Sequence, residues 1–286
     1  MTQLNNSSDV FNASHKMNQT DKIENAEAVF IWIVSFFGIP IICLTLFALC
    51  FLIKSHRAAS VYVIHLILSD LLQIGFINVL TTELARAALW SAYKYCLVVG
   101  LFFMAFIAIE RYILVSHPHW YRSHHSVKMS CFISLIIWLM PLTFIKIREQ
   151  AMFTVLSQSL ASFIPYPIIL LCFVGTWRGL SHAKSLTSQK RKLILGSLSL
   201  VLLNYTFLIL PLSISSLCLE FLNPPPPTAV NVYLFCHFFL YLNPLADCLL
   251  YLFMRRDAEN IMKSLFSCRS LPQSIIGGTN SHAITS

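Results

Sequence analysis

Seven long stretches of this chain are almost free of charge, and no other feature limits its fold so tightly. They run near residues 28–53, 59–82, 89–116, 128–147, 151–177, 193–219 and 229–254. About 20 apolar residues carry a helix across a hydrocarbon core. Backbone groups in lipid must bond within their own structure, so each stretch is a helix or a barrel strand. Lengths of about 20 residues without period-2 alternation exclude the barrel. Composition agrees, at 57% hydrophobic and 11% charged residues, against roughly 25% charged in an average soluble domain. The expected fold is an all-α membrane protein, a seven-transmembrane helix bundle over residues 28–254.

Basic residues orient the spans, because cytoplasmic loops carry an excess of them. With the N-terminus outside, the inner segments hold 14 Lys and Arg residues and the outer segments 6. The net charge of +8 then lies at the inner face, where it suits anionic lipid and an acidic cytosolic partner. It is split among short loops, which disfavours nucleic acid as a partner. Asn5, Asn6, Asn12 and Asn18 each begin an N-x-[Ser/Thr] sequon, as an extracellular glycosylated tail would. Residues 1–27 are polar and lack the apolar core of a signal peptide. They are read as the extracellular tail, and residues 255–286 as an amphipathic helix and cytoplasmic tail. The plasma membrane is the expected location. Of nine cysteines, Cys43, Cys50, Cys96, Cys131, Cys172 and Cys248 lie inside spans and read as packing residues. Cys218 and Cys236 lie toward the outer face, and Cys268 follows the last span in a context that suits palmitoylation.

The third span ends in Ile109-Glu110-Arg111-Tyr112. Ionisable groups near the membrane are costly, so they mark a functional site by default; a pair reaching for the interface is the plainer alternative. Asp70 stands in the second span, Trp138 in the fourth, Pro165 in the fifth and Pro211 in the sixth. Asp247 to Tyr251 of the seventh reads Asp-Cys-Leu-Leu-Tyr.

In that order these residues resemble the signatures of rhodopsin-like G-protein-coupled receptors, over nearly all of residues 28–268. Within that family the chain resembles the purinergic, lysophospholipid and proton-sensing branch, including divergent fish orphan receptors grouped with the ovarian-cancer proton-sensing receptor. The resemblance implies a receptor, not an enzyme. It implies coupling to a heterotrimeric G protein through Glu110, Arg111, Tyr112 and Tyr251, with Arg111 beside Glu110 in the closed state. It implies a polar core of Asp70, Asn243 and Asp247, which in the family holds a sodium ion; two protonated, hydrogen-bonded aspartates without an ion are the alternative. Departures are equally plain. Cys248 replaces a proline, Phe173 a tyrosine and Ile209 an aromatic residue. Gly100 stands where a serine is common, and the family's outer disulfide has neither of its cysteines.

Trp90, Tyr93, Lys94, Leu97 and Leu101 recur at spacings of three and four in the third span. Tyr233, His237 and Tyr241 do so in the seventh. Facing inward, the two stripes would line an aromatic pocket with one or two cationic groups, suited to a lipid or another small extracellular ligand with an anionic head. Facing outward, they would form an interfacial aromatic belt. Of ten histidines only His15 and His237 fall on the outer side, which argues against protons as the signal. A non-signalling decoy receptor and, less well, a small transporter remain alternatives.

Overall fold

The computed structural model describes residues 25–49, 61–79, 86–124, 126–146, 159–182, 188–222 and 226–254. Their regular elements are helices, with no strand among the described residues. In chain order they are α1 (Asn25–Leu49), α2 (Val61–Val79), α3 (Arg86–Ser116), α4 (Pro118–His124) and α5 (Val127–Lys146). There follow α6 (residues 159–163), α7 (Pro165–His182), α8 (Ser188–Asn204), α9 (Leu210–Phe221), α10 (Pro227–Leu240) and α11 (Asn243–Met254). Six helical segments are long and apolar enough to cross a membrane: Asn25–Leu49, Val61–Val79, Ala88–Ser116, Ser159–Leu180, Ile194–Phe221 and Pro227–Cys248. The apolar stretch Val127–Leu142 within α5 is shorter. The first helix begins at Asn25, so the last three residues of the segment read as a polar tail, Glu27 among them, belong to it.

Proline explains where the long helices change course, since it lacks an N–H and crowds the carbonyl four residues back. Pro165 starts α7 after a bend at Ile164. Pro211 follows a π-helical turn, Tyr205–Ile209, in which the Leu210 N–H reaches back to the Tyr205 carbonyl. Pro244 follows a turn at Tyr241–Leu242, where the N–H groups of both residues bond three residues back. The seventh stretch is therefore two helices in series, which together form the span-length segment Pro227–Cys248.

The α3 helix lies at the centre. It packs on α2, α7, α5 and α8, and its middle turns, from Leu97 to Ala108, are almost wholly buried. Against α7 the approach is closest at Gly175 and Gly179, four residues apart: a Cβ at 175 would sit 2.5 Å from the Tyr112 ring. Small residues at that spacing let helix backbones approach in a membrane. Trp138 of α5 donates its Nε1–H to His65 Nδ1 on α2 at 3.2 Å. Its carbonyl accepts from the Tyr95 hydroxyl of α3. These bonds tie α2, α3 and α5 together. The Trp138 donation also leaves the His65 proton on Nε2.

Candidate functional site

At one end of the helical body a cavity of about 90 Å³ opens between α3, α6, α9, α10 and the π turn. Its α3 wall is Trp90, Tyr93, Lys94 and Leu97, and its α10 wall includes Tyr233 and His237. The two sequence stripes thus meet on one cavity. Trp90 packs against Tyr93 at 5.3 Å and against His237 at 5.4 Å between ring centroids. The Lys94 ammonium lies 5.2 Å from the Trp90 ring centroid, a cation–π distance. Leu101 lies deeper, in the apolar core. Tyr241 sits one helical turn beyond His237 and lines a smaller neighbouring cavity instead.

The opposite wall is hydroxylic, with Ser159, Ser162, Ser213 and Ser216. Ser159 Oγ and Ser216 Oγ are 3.4 Å apart. The Tyr205 hydroxyl, from the π turn, donates to the Ser162 carbonyl beside the Pro165 bend. The sixth-span irregularity therefore holds the fifth-span one in place. Ile209, the last residue of the π turn, is buried and forms part of the cavity wall.

Sequence reading missed Glu27. It accepts a hydrogen bond from the Tyr241 hydroxyl, and its Oε1 lies 3.7 Å from His237 Nδ1. A carboxylate at the edge of an apolar run looks like tail, and only the fold brings α1 against α10. Its charge offsets any positive charge on His237, so Lys94 carries the cationic character of the cavity.

Below this end the polar core is buried completely. Asp247 takes two amide donors, Asn204 Nδ2 on Oδ1 at 2.6 Å and Asn243 Nδ2 on Oδ2 at 3.3 Å. Asp70 lies within electrostatic range of Asp247 and accepts from Gln73 Nε2 at 3.2 Å. Asn204 and Gln73 were not singled out in the sequence, because a lone amide in an apolar run gives no periodic signal. A Cβ at Gly100 would lie 3.1 Å from Ser69 Oγ and 3.6 Å from Gln73 Nε2. The missing side chain there gives the Ser69 hydroxyl its room. Asp70 Oδ2 and Asn204 Oδ1 have no hydrogen-bond partner among the described residues. Such hard oxygen atoms fit a sodium ion, although Gly100 supplies no hydroxyl from α3.

At the far end of α3 no Glu110–Arg111 ion pair stands among the contacts of the described residues. Glu110 accepts from the Tyr121 hydroxyl of α4 at 3.1 Å. Burial, with the Glu110 charge behind it, raises the Tyr121 hydroxyl above a tyrosine's ordinary value, so it stays a donor. Arg111 Nε is buried with no hydrogen-bond partner among the described residues. Adjacent residues point about 100° apart on a helix, and here Glu110 is turned to Tyr121 of α4.

Among the described cysteines, Cys218 and Cys236 are free thiols, as are the span cysteines Cys43, Cys96, Cys131, Cys172 and Cys248. No group of three or more His, Cys, Asp or Glu residues is placed to hold a metal among the described residues. The sequons at Asn5, Asn6, Asn12 and Asn18, residues 255–286 with Cys268, and the Tyr251 side chain lie outside the described residues. A scan against protein-family models and a search of curated proteins both return no match.

Proposed function

We propose that the chain is a seven-helix receptor of the rhodopsin-like kind. It takes a small anionic ligand at the cavity between α3 and α10 and signals to a heterotrimeric G protein at the Arg111 end. The plasma membrane, with the N-terminus extracellular, is the setting this reading requires. One observation carries it. A single central helix, α3, bears the cavity wall from Trp90 to Leu97 at one end and Glu110-Arg111-Tyr112 at the other. The buried Asp70, Asn204, Asn243 and Asp247 lie between the two.

The chemistry of the ligand follows from its walls. Lys94 supplies a cation, Trp90, Tyr93 and Tyr233 supply aromatic faces, and the serines supply hydroxyls. A cavity of about 90 Å³ has room for a compact anionic head group. Arg111 is a permanent cation whose Nε is buried without a partner. An acidic or carbonyl group entering from the cytosol would satisfy it once the helices part. Asp70 and Asn204 are the residues that would hold a sodium ion, which would neutralise the buried carboxylate.

A reporter assay with a panel of G proteins tests this reading. Signal from the parent, lost in Arg111→Ala at equal surface level and strengthened in Phe173→Tyr, is the expected result. Arg111→Ala signalling like the parent would sink it. A parent silent with every G protein and ligand would favour the decoy, a reading that the absence of both cysteines of the family's outer disulfide also favours.

A further inference from the structure

Beside the ligand cavity lies a second one of about 10 Å³. Tyr93 lines both. Gln73, Ser35 and Tyr241 contribute polar groups to the small cavity, and Ile74, Ile77 and Pro244 close it with apolar ones. Tyr93 is 2% exposed and Gln73 is 1% exposed. The Tyr93 hydroxyl and Gln73 Oε1 are both shut off from solvent, with no hydrogen-bond partner among the described residues. Buried polar atoms are nearly always bonded, and each exception requires an explanation. Here two exceptions border one cavity.

We infer that this cavity is the site of one structural water, held by the Tyr93 hydroxyl and Gln73 Oε1. Its volume of about 10 Å³ is at the threshold of about 10–15 Å³ at which a single water is admitted, given 2–4 polar partners. The directions of the bonds are consistent. Tyr93 donates to the water. The water donates to Gln73 Oε1 and to Ser35 Oγ, whose own hydrogen goes to Asn78 Oδ1 at 2.9 Å. A bare cation fits less well, because it would leave the Tyr93 hydrogen without an acceptor. The other face of the Gln73 amide is already spent, with Nε2 on Asp70 Oδ1 at 3.2 Å. The water therefore completes a line from Tyr93 through Gln73 to Asp70. The wall of the ligand cavity and the acid core become one hydrogen-bonded unit. This holds whether or not the chain signals.

The test uses the full chain, purified in detergent, with thermal unfolding as the readout. Tyr93→Phe and Gln73→Met should each lower the midpoint. The double variant should fall little further than the worse single, because either substitution already releases the shared water. Midpoint losses that add would overturn the inference. So would a parent midpoint that rises with sodium, at constant ionic strength, and loses that rise in Tyr93→Phe while keeping it in Asp70→Asn; the occupant would then be a cation. Should a variant fail to fold, an experimental structure of the parent decides. Ordered density within hydrogen-bonding distance of both atoms upholds the water, and collapse of Tyr93 directly onto Gln73 excludes it.

Discussion

Gly175 shows how little room single residues leave between the central helices. A Cβ there would lie 2.5 Å from Cε2 and 3.0 Å from Cδ2 of Tyr112, whereas one at Gly196 would meet nothing within 4 Å. Overpacking of this kind costs about 1–3 kcal/mol. Gly175→Ala should therefore lower the thermal midpoint of the detergent-solubilised protein, and Gly196→Ala should leave it unchanged or raise it slightly. Equal effects at the two sites would show that α3 and α7 do not meet so closely. The spacing Gly175-x-x-x-Gly179 is plain in the sequence once α3 is known to be the partner, but a sequence does not say which helix a glycine faces. Glu110 and Arg111 mislead in the opposite sense. They are adjacent in the chain, yet the fold turns Glu110 to Tyr121 of α4.

Among the elements, α4 is short and packs on α3. Its seven residues are far below the roughly 12–15 that an isolated helix needs to persist. The Tyr121 hydroxyl anchors it to Glu110 of α3. Tyr121→Phe should raise the rate of amide hydrogen exchange across residues 117–124 while the centre of α3 stays protected. Unchanged exchange there would mean that α4 is held by its other contacts. The long helices were easy to place from their apolar runs, but their breaks were not. Pro211 and Pro244 signal that a hydrogen bond is lost. They do not say whether the chain answers with a π turn, as at Tyr205–Ile209, or with a tight turn, as at Tyr241–Leu242.

Among the described residues many large apolar side chains face outward. Phe36 is 74% exposed, Leu171 71% and Phe207 68%, a surface that would aggregate in water and that lipid would cover. Two tags test how such a body is set in the membrane. An epitope at the N-terminus should stain on intact cells and one at the C-terminus only after permeabilisation. An N-terminal tag hidden on surface-resident protein would reverse the orientation. At this scale the helices and their approximate limits were readable, because transfer into lipid depends on summed hydrophobicity over about 20 residues. The pocket stripes were readable in part, since Trp90, Tyr93, Lys94 and Leu97 repeat with helical period. Glu27 and Asn204 were not, because each meets its partner only through helices distant in the chain. Ser213 and Ser216 are three residues apart on one face of α9, but hydroxyls in a membrane helix usually bond their own backbone. Both of these also do so.

The π turn has one more consequence, for length. A turn that bonds five residues back instead of four holds a residue that the helix does not need. Removing one position between Thr206 and Leu208 would let α8 run into α9 as a regular helix with no loss of continuity. The two halves would keep nearly the same relative phase, because one wide turn of five residues sweeps about the same angle as four residues of α-helix. The wide turn thus acts as a phase keeper: it takes up the spare residue so that Ser213 and Ser216 still face the cavity, and a chain that kept this residue in an unbroken α-helix would turn them away by roughly 100°.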